Sequence, residues 1–195
     1  IAPDLVGRDL RNRTLPLYIS RGITRFDYIA VKIAALVSAT LLFSLVPQAL
    51  LFAGNTLAAR NAATYVGENL EAIPQIILSA LAIGLLLGSL AVAFASHTTN
   101  RAYATGGFVA LIILSTAVAN ILFEAGDGGS WDYVLLFGIF EVLEGVTEVI
   151  FNTTPEPDEN RALVEFWDGW FVISLAVMTA ASLILTIRRY RRLTL

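Results

Sequence analysis

The sequence predicts an all-α integral membrane protein with four transmembrane helices, and three observations carry that prediction. Hydrophobic residues make up 56% of the 195 and charged residues 15%, whereas a water-soluble domain carries about 25% charged residues. Four stretches have the roughly 20 apolar residues that a helix needs to cross a bilayer. Lys and Arg gather in alternate connecting segments, the pattern that orients membrane helices. Collagen and disorder are excluded by the hydrophobicity and the lack of a glycine repeat. Nucleic-acid binding is disfavoured by a net charge of -3. With 0 cysteines the chain has no disulfide, thiolate or cysteine-based metal site.

Taken in order, residues 1–27 mix charges with Leu5, Leu10, Leu15, Leu17, Tyr18 and Ile19, which predicts a short amphipathic element against the membrane. The transmembrane domain then occupies 28–195. Its first span, Tyr28–Ala53, opens with Lys32, whose long side chain reaches the interface, and contains Pro47, which should kink it. The second span is Ala72–Ser96, with Pro74 in the first turn where proline is tolerated. The third is Ala104–Phe123 and the fourth Phe166–Ile187. All of the 13 Lys and Arg residues except Arg60 and Arg161 fall in 1–32, in the loop His97–Tyr103 or in the tail. Every acid except Asp4, Asp9 and Asp27 falls in the alternate segments or, as Asp168, at the outer start of the fourth span. The N-terminal segment and the C-terminus are therefore expected to be cytoplasmic, with Gly54–Glu71 and Glu124–Glu165 outside.

The last of these segments has helical periodicity over about 131–151, with Glu141, Glu144 and Glu148 on one face. The expectation is an amphipathic helix lying in the outer interface, its acids in water, capping the outer end of a pathway. Three carboxylates without a histidine make a poor metal site or acid–base pair, because His97 is expected on the opposite side of the membrane.

Candidate functional residues are few. No phosphate loop, zinc-helix, serine-elbow or dinucleotide-binding pattern is present, so the chain itself is expected to be neither an ATPase nor another enzyme, with no catalytic residue, metal or cofactor of its own. Gly84 and Gly88 form a small-xxx-small face for helix packing. Gln48, Asn120 and Glu124 are polar groups near membrane boundaries that can line a pathway. No carboxylate is expected at mid-bilayer, which argues against a proton-coupled carrier. Arg188, Arg189, Arg191 and Arg192 read as the anchor that ends the last helix and meets anionic membrane lipid.

The order of residues ahead of the first span resembles that in type-2 ATP-binding-cassette (ABC) transporter permeases. The match runs through Arg13-Thr14-Leu15, Tyr18-Ile19-Ser20-Arg21, Ile23-Thr24-Arg25 and Tyr28 with Lys32. It departs at Arg13 and Ala30, where glycine is common in the family, and at Gly22, where proline is common. The later layout also fits: a span, an outer loop, two spans on a short inner loop, an outer segment with short helices, and a final span. The resemblance implies the last four spans of a six-span permease in a bacterial or archaeal plasma membrane, paired with a second permease unit as a homo- or heterodimer. It further implies an exporter, with cytoplasmic ABC ATPase subunits that hold ATP and magnesium. Asp4, Asp9, Leu10, Arg13, Leu15, Tyr18, Arg21 and Arg25 would then form the coupling element. The alternative is a non-transporting membrane scaffold or sensor that recruits a cytoplasmic partner through the basic segment.

Overall fold

The computed structural model describes residues 25–98, 100–126, 129–155, 160 and 167–192. They form six α-helices and one 3-10 segment: α1 (Arg25–Ala58), α2 (Ala62–Glu68), α3 (Ala72–His97), α4 (Arg101–Ala125), η1 (Gly129–Phe137), α5 (Ile139–Phe151) and α6 (Gly169–Arg192). Four of them, α1, α3, α4 and α6, are long and apolar enough to cross a bilayer. Their limits shift from the sequence expectation. The first helix runs on to Ala58 and α6 starts at Gly169, then continues through the terminal arginines. The connection Gly54–Glu71 is not a plain loop: it holds the last turn of α1 and the short α2, capped by the Asn61 side chain on the amides of Ala63 and Thr64.

Pro47 lies inside α1, which remains one helix of 34 residues. The missing N–H leaves the Phe43 carbonyl without its helical donor, a defect that membrane helices tolerate when neighbouring groups compensate. The adjacent Gln48 bonds not to that carbonyl but to Ser44, from Nε2 to its carbonyl at 3.3 Å and to its Oγ at 3.2 Å.

α3 is the central helix. Its buried positions are small: Ser79, Ala80, Gly84, Gly88, Ser89, Ala93, Ala95 and Ser96, with Leu86 and Val92 among them. In lipid there is little hydrophobic gain from bringing two apolar helices together, so close backbone approach and dispersion must hold them. The glycines permit that approach. A Cβ on Gly84 would stand 3.1 Å from the Val37 carbonyl oxygen, and one on Gly88 would stand 3.0 Å from Val37 Cα. Three buried hydroxyls on α3 and α6 bond to their own helix, Ser89 to Leu86 O, Ser96 to Ala93 O and Thr186 to Ser182 O, whereas Thr179 Oγ1 on α6 is buried without a hydrogen-bond partner. The three bonded hydroxyls need no water.

α1 and α6 meet at the end that carries Lys32, Arg101 and the terminal arginines, where the Tyr28 and Tyr190 rings lie 6.0 Å apart. Lys32 Nζ sits 5.5 Å from the Tyr28 ring centroid, within cation–π range. The apolar core lies nearer the other end and is built from Leu86, Ile139, Val142, Leu143, Val146 and Phe171. Gly145 is required there, because a Cβ would fall 2.5 Å from the Phe171 ring.

Candidate functional site

The connection between α4 and α6 is a hairpin that turns back into the bundle. From the end of α4, η1 runs back against α4, breaks at Gly138, and α5 returns. This replaces the single interfacial helix expected over 131–151. The break follows from two local facts. Gly138 is extended, with φ -75° and ψ 120°, and a Cβ there would lie 2.9 Å from Glu141 Cγ and 3.2 Å from Ala119 Cβ. Only glycine lets the turn approach α4 so closely.

The tip of the hairpin is met by hydroxyls from the middle of α4. Ser115 Oγ accepts from the Ile139 amide at 3.4 Å and Thr116 Oγ1 from the Phe140 amide at 3.1 Å. These are the first amides of α5, which no helical carbonyl can reach. Ser115 is about 15 Å from the Ala125 end of α4 by helical rise, half of a hydrocarbon layer roughly 30 Å thick. Irregular backbone at that depth survives only when the protein itself satisfies it, and Ser115 and Thr116 do so.

One turn farther along α4, Asn120 joins the same stripe. Its Nδ2 donates to Glu141 Oε1 at 2.8 Å and to the Thr116 carbonyl at 3.0 Å. Its Oδ1 accepts from Asn160 Nδ2 at 2.6 Å. Glu141 is only 7% exposed, so the acidic face does not lie wholly in water as expected. Glu148 is half-buried and Glu144 exposed. Glu141 instead belongs to the interior, in the first turn of α5, where the helix dipole favours a carboxylate. The 3-10 segment is pinned from the other side by Ser174 Oγ, which donates to the Leu136 carbonyl at 2.6 Å, and by the Tyr133 ring edge-on to Trp170.

The three residues considered for a pathway are not brought together. Gln48 Oε1 accepts from Ser79 Oγ at 2.7 Å, across the α1–α3 interface. Asn120 belongs to the α4 hairpin clasp, and Glu124 is exposed near the end of α4. Helices α1 and α4 each lie against α3 instead of packing extensively on each other. Gly84 and Gly88 are at the α1–α3 crossing. Of the coupling residues, Asp4, Asp9, Leu10, Arg13, Leu15, Tyr18 and Arg21 lie outside the described residues, and Arg25 is the first residue of α1. Sequence reading missed Ser115, Thr116, Gly138 and Asn160, and misplaced Glu141. The usable signal was the adjacent hydroxyl pair in the middle of a span, paired with a glycine ahead of the amphipathic stretch.

Among the described residues no group of three His, Asp or Glu side chains converges on a metal-sized site. What the arrangement can do is hold a helical hairpin deep against α4 by a polar clasp. Comparison with protein-family models, with curated proteins and with solved structures finds no match.

Proposed function

We propose that the chain is the membrane-spanning permease subunit of an ABC exporter, driven by a separate cytoplasmic ATPase subunit and paired with a second permease unit. The observation that carries this reading is the junction at α1. The family-like run Arg13 to Lys32 leads straight into a helix that begins at Arg25. The layout beyond it adds support: α3 and α4 are joined by only three residues, and two short helical segments precede the final span. On this reading the end with Arg25, Lys32, Arg101 and Arg188 faces the cytoplasm, while ATP and magnesium belong to the partner.

The packing supplies a mechanical route for such coupling. A displacement of the segment before Arg25 moves α1 as a rigid rod. The glycine face of α3 lies against the backbone and side chains of Val37 and Leu41 of α1, and α3 contacts α6 and the hairpin core. Movement at the basic end then has a route to the clasp through packed helices.

The test is purification of the full-length protein from its own membranes in mild detergent, with its associated proteins identified by mass spectrometry. A stoichiometric ATPase subunit is expected. Its association and its stimulated ATP hydrolysis should be lost when Leu10, Leu15 and Tyr18 become Asp and Arg13, Arg21 and Arg25 become Glu, with membrane insertion unchanged. Stimulation that survives those changes overturns the coupling assignment. Reproducible absence of an ATPase puts the scaffold or sensor reading first.

A further inference from the structure

The most apolar window of α1 is only 6% buried, and the helix comes closest to α3 at one crossing, where Val37 and Leu41 lie on Gly84 and Gly88. On one side of that crossing Gln48 bonds to Ser79 of α3. On the other, toward the basic end, Tyr28 meets Tyr190 of α6. We propose that Tyr28 and Tyr190, with Lys32, form a latch, and that α1 rocks as a rigid lever on the α3 glycines when the latch opens. The device rests on packing within this chain and is independent of the transporter reading.

Position and strength mark the contact. Tyr28 and Tyr190 stand near the ends of their helices, yet both are buried, at 7% and 2% exposed, so the pair closes the space between α1 and α6 there. The ring planes are tilted by 59° at a centroid distance of 6.0 Å, an arrangement in which aromatic rings attract. Lys32, one turn after Tyr28, adds a cation 5.5 Å from that ring. Together these contacts favour the closed form by roughly ten- to hundred-fold, a bias that one binding event elsewhere can reverse. Arg25 is within one turn of Tyr28 at the start of α1, so a pull on the segment before it reaches the latch first. The crossing differs in kind. Glycine lets the helix backbones approach there, and close packing resists their separation, whereas turning about the contact keeps it. The lever arms are unequal: by helical rise Tyr28 lies about 14 Å before Val37 and Ala58 about 26 Å beyond Leu41. The long arm is continuous, because α1 remains one helix through Pro47. What holds it is the Gln48–Ser79 bond, a neutral pair of the kind that contributes little between membrane helices.

The test puts nitroxide pairs, through introduced cysteines, on the full chain in phosphatidylcholine vesicles and measures their separations by dipolar electron spin resonance. Val31 with Leu185 spans the latch, Leu57 with Ile77 spans the long arm, and Leu85 with Val177 joins α3 to α6; all of these positions are exposed. Tyr190→Ala should give the latch pair a second, longer separation and shift the long-arm pair by more, because that arm is roughly twice the other. Tyr190→Phe keeps the ring and should leave both pairs at their wild-type values. The Leu85–Val177 separation should hold throughout, which reports that each variant is folded. Where Tyr190→Ala disturbs it, Lys32→Gln decides, since it withdraws the cation from outside the bundle and should produce the same two shifts in a smaller fraction of molecules. A latch pair that lengthens while the long-arm pair stays fixed means that the start of α1 frays, and overturns the lever. A latch pair unmoved in the folded variant overturns the latch, and so does opening by Tyr190→Phe as complete as that by Tyr190→Ala.

Discussion

At the scale of single residues, the decisive group is Asn120. Its side chain bonds at once to α5, through Glu141, and to Asn160 beyond α5. An amide does this because it carries donors and an acceptor together. Asn120→Leu keeps the volume and removes both bonds, taking a donor from Glu141 and an acceptor from Asn160. The expected destabilisation is about 1–3 kcal/mol, the cost of stripping a partner from a buried polar group. Glu141→Gln preserves an oxygen for Asn120 and should cost less. By contrast Ser79→Ala, which removes the Gln48 bond, should cost about 0.6 kcal/mol, the usual worth of a neutral bond between membrane helices. Unfolding midpoints in mixed detergent–SDS micelles check the order. If Ser79→Ala costs as much as Asn120→Leu, the clasp has no special weight.

At the scale of elements, close packing outweighs polar bonding at the α1–α3 crossing. Gly88→Leu places a branched side chain where even a Cβ is 3.0 Å from the α1 backbone, so the helices must separate. Gly67→Leu is the matched control, on exposed α2 with nothing within 4 Å of where a Cβ would stand. Cysteines introduced at Gln48 and Ser79, whose side chains meet across the same interface, should be joined by a short bifunctional thiol reagent in this cysteine-free chain, and Gly88→Leu should suppress the crosslink several-fold while Gly67→Leu leaves it intact. Unchanged crosslinking in Gly88→Leu contradicts the glycine-mediated contact. The four long helices were legible in the sequence because each has to be apolar over a fixed length, a constraint that composition alone reveals. The hairpin was not, since periodicity reports which residues share a face and not whether that face meets water or protein. Glu141, Glu144 and Glu148 share a spacing, yet only the first enters the core. What separates them is Gly138, whose role depends on how near Ala119 lies, and no local pattern encodes that distance. Likewise Asn120 reads as an interfacial amide until Asn160, 40 positions away, is seen to bond to it.

At the scale of the whole molecule, the hairpin determines where the bundle can be rigid. Its helix α5 supplies Ile139, Val142, Leu143 and Val146 to the main cluster, so a segment between two spans furnishes four of that cluster's six buried residues. The long helices α1 and α4 bury only 6% of their most apolar windows, against 44% for α3. The rigid body is therefore α3, α5 and α6, with α4 fastened to it by the clasp and α1 by the glycine face. This arrangement predicts depth. A spin label at Phe137, attached through an introduced cysteine in vesicles, should show high collision with oxygen and low collision with a polar nickel reagent, the signature of the hydrocarbon centre. Labels at Asn61 and Asn152 should show the reverse. A helix lying flat in the interface would give Phe137 and Asn152 similar values, and that outcome would remove the hairpin from the membrane interior. Because Ser115 and Thr116 are the groups that satisfy the backbone at the tip, Ser115→Ala combined with Thr116→Val should leave the first amides of α5 short of acceptors. The label at Phe137 should then move toward the interface, since hydrocarbon offers those amides no substitute and water lies only in that direction.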